Sequence, residues 1–237
     1  MKFFTCTQII FGILLAVVCE AQTLDTISRN KTYVIGPMPE FNEIMKLNKE
    51  DSKLEKNGKK VHQHILKLHN EKGTRYNGPR YNYSNNRARI TLETFRNGHL
   101  SEKDNNAKDA AMHCECELEN NEKITIKIGF GLSAAFAYNL TIEGDSFETH
   151  YIPLYFGTPK FKNDLKDPIM VSSIVTLSQN QYMILDQKPT FRENQQISGY
   201  ITFSSYNFYE HTSPEIFDTL RINAKAHFTC NVFKRKY

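Results

Sequence analysis

Two short motifs in this chain carry residue types that bind metals. His113-Cys114-Glu115-Cys116 sits mid-chain, and His227-x-x-Cys230 sits near the end. Imidazole, thiolate and carboxylate are all zinc ligands. The alternation around them works against a mixed cage. Cys114, Cys116 and Leu118 share one side of an extended segment, with His113, Glu115 and Glu117 on the other. Cys230 likewise falls on the apolar side of its segment and His227 on the polar side. One tetrahedral ion does not easily gather ligands from both faces of a sheet, and Cys-x-Cys is shorter than the usual zinc spacing. No metal or other cofactor is expected.

The same cysteines suit a disulfide. In an oxidising compartment Cys230 is expected to pair with Cys114 or Cys116, and spacing alone does not choose between them. Either bridge closes a loop of more than a hundred residues, worth roughly 2–4 kcal/mol by chain entropy. One thiol is left over, buried or paired with another chain.

On the polar side, His113, Glu115, Glu117 and His227 form a second candidate. If their strands lie close together, two imidazoles and two carboxylates could act as metal ligands or acid–base groups of a hydrolase. The plainer reading is a solvated charged face. Recognisable catalytic motifs are absent: the chain has no G-x-S-x-G, H-E-x-x-H, P-loop or G-x-G-x-x-G.

A third candidate is electrostatic. Lys46 to Arg89 holds twelve Lys or Arg against four Asp or Glu, with Tyr76, Tyr81 and Tyr83 interleaved. Lys59, Lys60, Lys67, Lys72, Arg75 and Arg80 are the residues expected to hold a polyanion. In an exported protein the partner would be an anionic glycan, the envelope surface or another protein, and no nucleic acid is expected. A fourth is the aromatic run Tyr200, Phe203, Tyr206, Phe208, Tyr209, which reads as a sugar-stacking platform or as packing over a sheet edge.

Export is read from the first residues. Lys2, an apolar run from Ile9 to Val18 and Cys19-Glu20-Ala21 compose a signal peptide over residues 1–21, cut near Ala21-Gln22. The apolar run is too short to span a bilayer. Val18 before Cys19 disfavours the alternative of a lipoprotein anchor at that cysteine. The destination is the medium, the periplasm or the cell envelope. Three sequons, at Asn30, Asn82 and Asn139, matter only in a eukaryotic host.

The elements that must position these groups fall into two parts. Residues 22–86 read as a basic, partly helical segment or linker. Val61, Ile65 and Leu68 predict an amphipathic helix from Lys59 to about Lys72 that stops at Gly73, with Ile44, Leu47 and Leu54 extending helical character upstream and Gly58 as a break. Residues 87–237 read as a β domain. Ala88, Ile90 and Leu92 alternate up to Asn97-Gly98; residues 113–118 and 124–130 form a hairpin about Asn120-Asn121; residues 136–142 turn at Glu143-Gly144-Asp145-Ser146. Residues 169–178, 181–185 and 196–204 read as further strands. From Thr219 to Val232 the alternation is unbroken, which no helix reproduces. Strands without intervening helices predict a mainly antiparallel β-sandwich. With 40% hydrophobic and 24% charged residues and a net charge of +4, the chain has the composition of a folded domain. The function expected is a non-enzymatic binding or structural module; a hydrolase on the His/Glu face and a polyanion-binding adhesion protein through 46–89 are the alternatives.

Overall fold

The computed structural model describes residues 31–74, 85–105, 111–129, 136–155, 157–213 and 215–235. The segment 1–21, with Cys6 and Cys19, lies outside them. So do Asn30, Arg75, Tyr76, Arg80, Tyr81, Asn82 and Tyr83. Along the chain run β1 (Lys31–Thr32), β2 (Val34–Ile35), α1 (Phe41–Ile44), α2 (Lys49–Glu71), β3 (Arg87–Arg96), β4 (His99–Asn105), β5 (Met112–Asn120), β6 (Lys123–Ile128) and β7 (Phe136–Glu143). They are followed by β8 (Ser146–Pro153), β9 (Phe161–Lys162), β10 (Thr176–Leu185), β11 (Gln196–Ser205), β12 (Phe208–Ser213) and β13 (Ile216–Phe233).

The architecture is the mainly antiparallel sandwich that the alternation predicts. One sheet is the meander β5-β6-β7-β8, with β1 added to β8. The other has β4-β3-β13-β11-β10 side by side, with β12 and β9 along the first part of β13 and β2 running parallel to β10. Asn97 and Gly98, both at positive φ (51° and 84°), make the tight β3–β4 turn that suits a twisted hairpin.

Hydrogen bonding does not stop at the sheet borders. β10 begins on the first sheet, where Thr176 and Leu177 pair with Tyr151 and His150, and continues on the second beside β11. β13 ends in the opposite way: Val232 and Phe233 pair in parallel with Cys116 and Glu117 of β5. The ladder therefore runs round the core without interruption, and both crossing corners lack the free edge that invites aggregation.

Each crossing leaves polar backbone inside, and a buried carboxamide satisfies it. At the first corner Gln181 Oε1 accepts from Thr149 N (2.8 Å) while its Nε2 donates to Ser178 O (2.9 Å). At the second, Asn86 O accepts from Cys114 N (3.2 Å) and Asn86 Oδ1 accepts from Asn231 N (2.8 Å). Buried N–H and C=O groups are rarely left unpaired, and here a side chain stands in for a missing strand.

The core lies between the sheets. Ile124, Ile126, Ile128, Leu140 and Ile142 face Met183, Leu185, Ile197, Ile201 and Phe228, and all are almost fully buried. Gly199 of β11 is required by this packing, because a Cβ there would run into the Phe228 ring and the Leu185 methyl.

Two local expectations change. Gly58 does not break the helix: α2 runs continuously from Lys49 to Glu71. A reciprocal cap between Asn48 and Asp51 starts it at Lys49, so the helical character expected upstream at Leu54 belongs to the same helix, and one glycine costs a helix only about 1 kcal/mol. Its end is as predicted. Gly73 at φ 62° and the bonds Gly73 N to Asn70 O and Thr74 N to His69 O close it in a left-handed cap. Residues 169–178 and 181–185 are not two strands. Val171 and Ser173 make single bridges, and Thr176–Leu185 is one strand bent by a bulge between Gln179 and Tyr182.

Candidate functional site

The outer face of the second sheet is divided in two. Over its upper half, residues 36–51 lie as a strap. Gly36 N donates to Leu185 O (3.1 Å), His227 Nε2 bonds Pro39 O (2.8 Å), and Arg87 donates to Met45 O (2.7 Å). His227 stands between the rings of Tyr200 (4.7 Å) and Phe41 (6.1 Å). Burial pushes its imidazole below the ordinary value, against the opposing pull of the Pro39 carbonyl and Glu40. At the far end Asp51, fully buried, takes the Arg89 guanidinium and the Ala111 N–H (2.7 Å). Arg89 itself is 3% exposed, so this is a buried ion pair clamping the start of α2 onto β3.

The lower half of that face is open. Cross-strand register sets Tyr182, Thr202, Lys225 and Thr91 in one row, and Ser204, Asn223, Glu93 and Lys103 in the next. Their side chains point away from the core because they alternate with Phe203, Ala224 and Leu92, which are buried. A cleft of about 250 Å³ lies along these rows, with Asn180 on its border. Ser204 donates to Asn223 (2.8 Å), and Lys103 pairs with Glu93 (2.8 Å). Lys225 is exposed and has no carboxylate partner among the described residues. Asn180 holds positive φ (51°) in the β10 bulge, a conformation uncommon outside glycine.

The His/Glu candidates do not share a surface. His113, Glu115 and Glu117 lie on the outer face of the first sheet, whereas His227 is under the strap on the second. The reason is topological, since β13 meets β5 only at Val232 and Phe233, beyond His227. His113 pairs with Glu115 (3.2 Å), and Glu117 with Lys127 (3.0 Å) and Arg235 (3.1 Å). The His113 bond holds the Glu115 carboxyl below its usual range despite partial burial. Glu119, Asp145, Glu210 and Asp218 are displaced in the same direction. A general acid needs a carboxyl kept protonated, and these shifts run the other way. Among the described residues no three His, Cys, Asp or Glu side chains gather to hold a metal ion.

Cys116 is bonded to Cys230, with Cα atoms 5.7 Å apart. Cys114 is a free, fully buried thiol, and burial pushes its pKa well up. It is therefore inaccessible to a second chain. The register explains the choice that spacing left open. Asn86 stands in the same row as Cys114 and Cys230, between β5 and β13, whereas two residues further on the strands touch directly.

On α2, Lys59 pairs with Glu55 (2.7 Å) and Lys67 with Glu71 (3.7 Å), while Lys60 and Lys72 are exposed. The helix carries six Lys against four Asp or Glu, so its excess of positive charge is small. Asn139 is half-buried in mid-β7, opposite Lys127 and His150. Of the aromatic run, Phe203 and Phe208 are in the core and Tyr200 packs on His227, so the run does not form an exposed platform.

Compared with known proteins, the chain matches no family model, no curated protein and no solved structure. The sequence did not point to Asp51–Arg89, to the two carboxamides or to the cleft. Of these only the Asn48-x-x-Asp51 cap spacing was a legible signal.

Proposed function

We propose that this chain is an exported, non-catalytic binding module that engages its ligand through the open half of the second sheet's outer face. The carrying observation is the cleft. It gathers hydroxyl, amide and ammonium groups from β3, β10, β11 and β13 on a rigid ladder, which is how binding faces are held in a fixed geometry. Export is supported by the signal-like residues 1–21 and by the disulfide. The catalytic alternative draws no support from its four residues, which are separated or tied into ion pairs.

The test is binding of labelled full-length protein to the surface of the cells that export it. The double variant Asn223→Ala, Lys225→Ala is expected to lose that binding, and Glu117→Ala, on the other sheet, to keep it. Undiminished binding by the cleft variant, with its fold intact by circular dichroism, would sink the proposal.

A further inference from the structure

Resting on that reading, we infer that the cleft is a saccharide site for a largely uncharged sugar chain laid across strands β10, β11, β13 and β3. Three features of the cleft and of the strand rows it lies along select this chemistry over other ligands.

Formal charge is nearly balanced. Glu93 and Lys103 neutralise one another at 2.8 Å, leaving Lys225 as one net positive charge. A polyanion site would concentrate like charge, and the lining here instead mixes both signs with neutral donors and acceptors. The hydrogen-bonding groups are also of the kind that read hydroxyls. Asn223 has its carbonyl oxygen occupied by Ser204 and an amide nitrogen with two further protons to give, while Thr202 and Thr91 can donate or accept. Asn180 lines the cleft from a bulge that holds it at positive φ, and bulges of this kind re-aim side chains beside functional sites.

The third feature is an exposed apolar group one strand over from the lining. Tyr182 occupies the same cross-strand row as Thr202 and Lys225 and is 46% exposed. Beside its strand, Val34 and Ile35 of β2 are similarly exposed. A pyranose ring has a hydroxyl-bearing rim and C–H faces, so it presents polar groups to a floor such as Asn223 and an apolar face to an aromatic ring such as Tyr182. A peptide adding as a strand would need an open strand edge rather than the middle of a sheet face.

The experiment uses the full chain on a microarray of neutral, carboxylated and sulfated saccharides, with Tyr182→Ala and Asn223→Ala beside the wild type. Wild type is expected to retain at least one neutral saccharide at physiological salt. Each variant is expected to lose at least tenfold in affinity, and Lys127→Ala on the opposite sheet to lose nothing. Thermal melts show whether each variant is folded; should Asn223→Ala unfold, the exposed Tyr182→Ala still decides. Three results overturn the inference: no saccharide retained, retention of sulfated or carboxylated chains alone with loss in high salt, or retention indifferent to Tyr182. A blank array alongside cleft-dependent cell-surface binding would remove the sugar and leave the binding module. Failure of both would remove the module as well.

Discussion

Asn86 accepts the backbone N–H of Asn231 on its side-chain oxygen at 2.8 Å, and this bond ties β13 to the row that stands between Cys230 and Cys114. With its own carbonyl held by Cys114 N, Asn86 fills the row between β5 and β13 and keeps Cys114 one strand away from Cys230. Asn86→Gly removes the Asn231 partner and loosens the wedge. Non-reducing peptide mapping of that variant is expected to reveal Cys114–Cys230 beside the native bond, and a map showing Cys116–Cys230 alone would refute the role of Asn86. The orphaned Asn231 N–H costs about 1–3 kcal/mol in urea unfolding if it stays buried.

The opposite corner depends on Gln181 in the same manner. Gln181→Leu keeps much of the volume but strips the partners from Thr149 N and Ser178 O. With two buried backbone groups unsatisfied at about 1–3 kcal/mol each, the variant is expected to unfold at clearly lower urea, and the Thr149 amide to lose protection in hydrogen exchange.

Breaking the strap's clamp gives a larger loss. Asp51→Ala takes the Asp51 carboxylate away from the buried Arg89 guanidinium, and removal of one partner of a buried pair costs about 3–5 kcal/mol. The Ala111 amide also loses its acceptor. Replacing both residues together, Asp51→Leu with Arg89→Met, is expected to recover much of that stability, because desolvation of the charges disappears with them. A double variant as unstable as Asp51→Ala would show that the charges themselves hold the strap.

Acid should loosen the molecule in two stages. His227 titrates in the folded state below its ordinary 6.5 because it is buried, among Tyr200, Phe41 and the Pro39 carbonyl, with Glu40 as the nearby charge. As pH falls below about 6.5 the unfolded chain takes up this proton first, so stability falls until the folded imidazole also protonates. Glu115 and Glu210 follow. Burial raises Glu210, but Lys160 and Arg96 outweigh it, so its folded value lies below the ordinary 4.5. Glu115 lies below it too, chiefly through His113. Their contribution is complete above that value and is lost as pH drops through the folded ones. Urea midpoints between pH 7 and 3 should show both stages. His227→Gln, which keeps a donor for Pro39, should abolish only the upper one.

Much of the fold was legible in the chain because strand alternation and turn chemistry are local. The run from Thr219 to Val232 declared its faces, Asn97-Gly98 its turn, and Gly73 the end of α2. Less legible were β4, polar but for the exposed Leu100 because it is an edge strand, and β8, whose buried face includes Thr149 among aromatic residues.

Alternation assigns each side chain to a face, and that is all it assigns. It made Cys114, Cys116 and Cys230 inward-facing, and His113, Glu115, Glu117 and His227 outward-facing. Which strands become neighbours depends on contacts far apart in the chain, and those decided the rest. The crossing of β13 to β5 placed Cys116 within reach and Asn86 between Cys230 and Cys114. The assignment of β5 and most of β13 to different sheets scattered the His/Glu group, and the packing of the strap left the polar rows of β3, β11 and β13 open as the cleft.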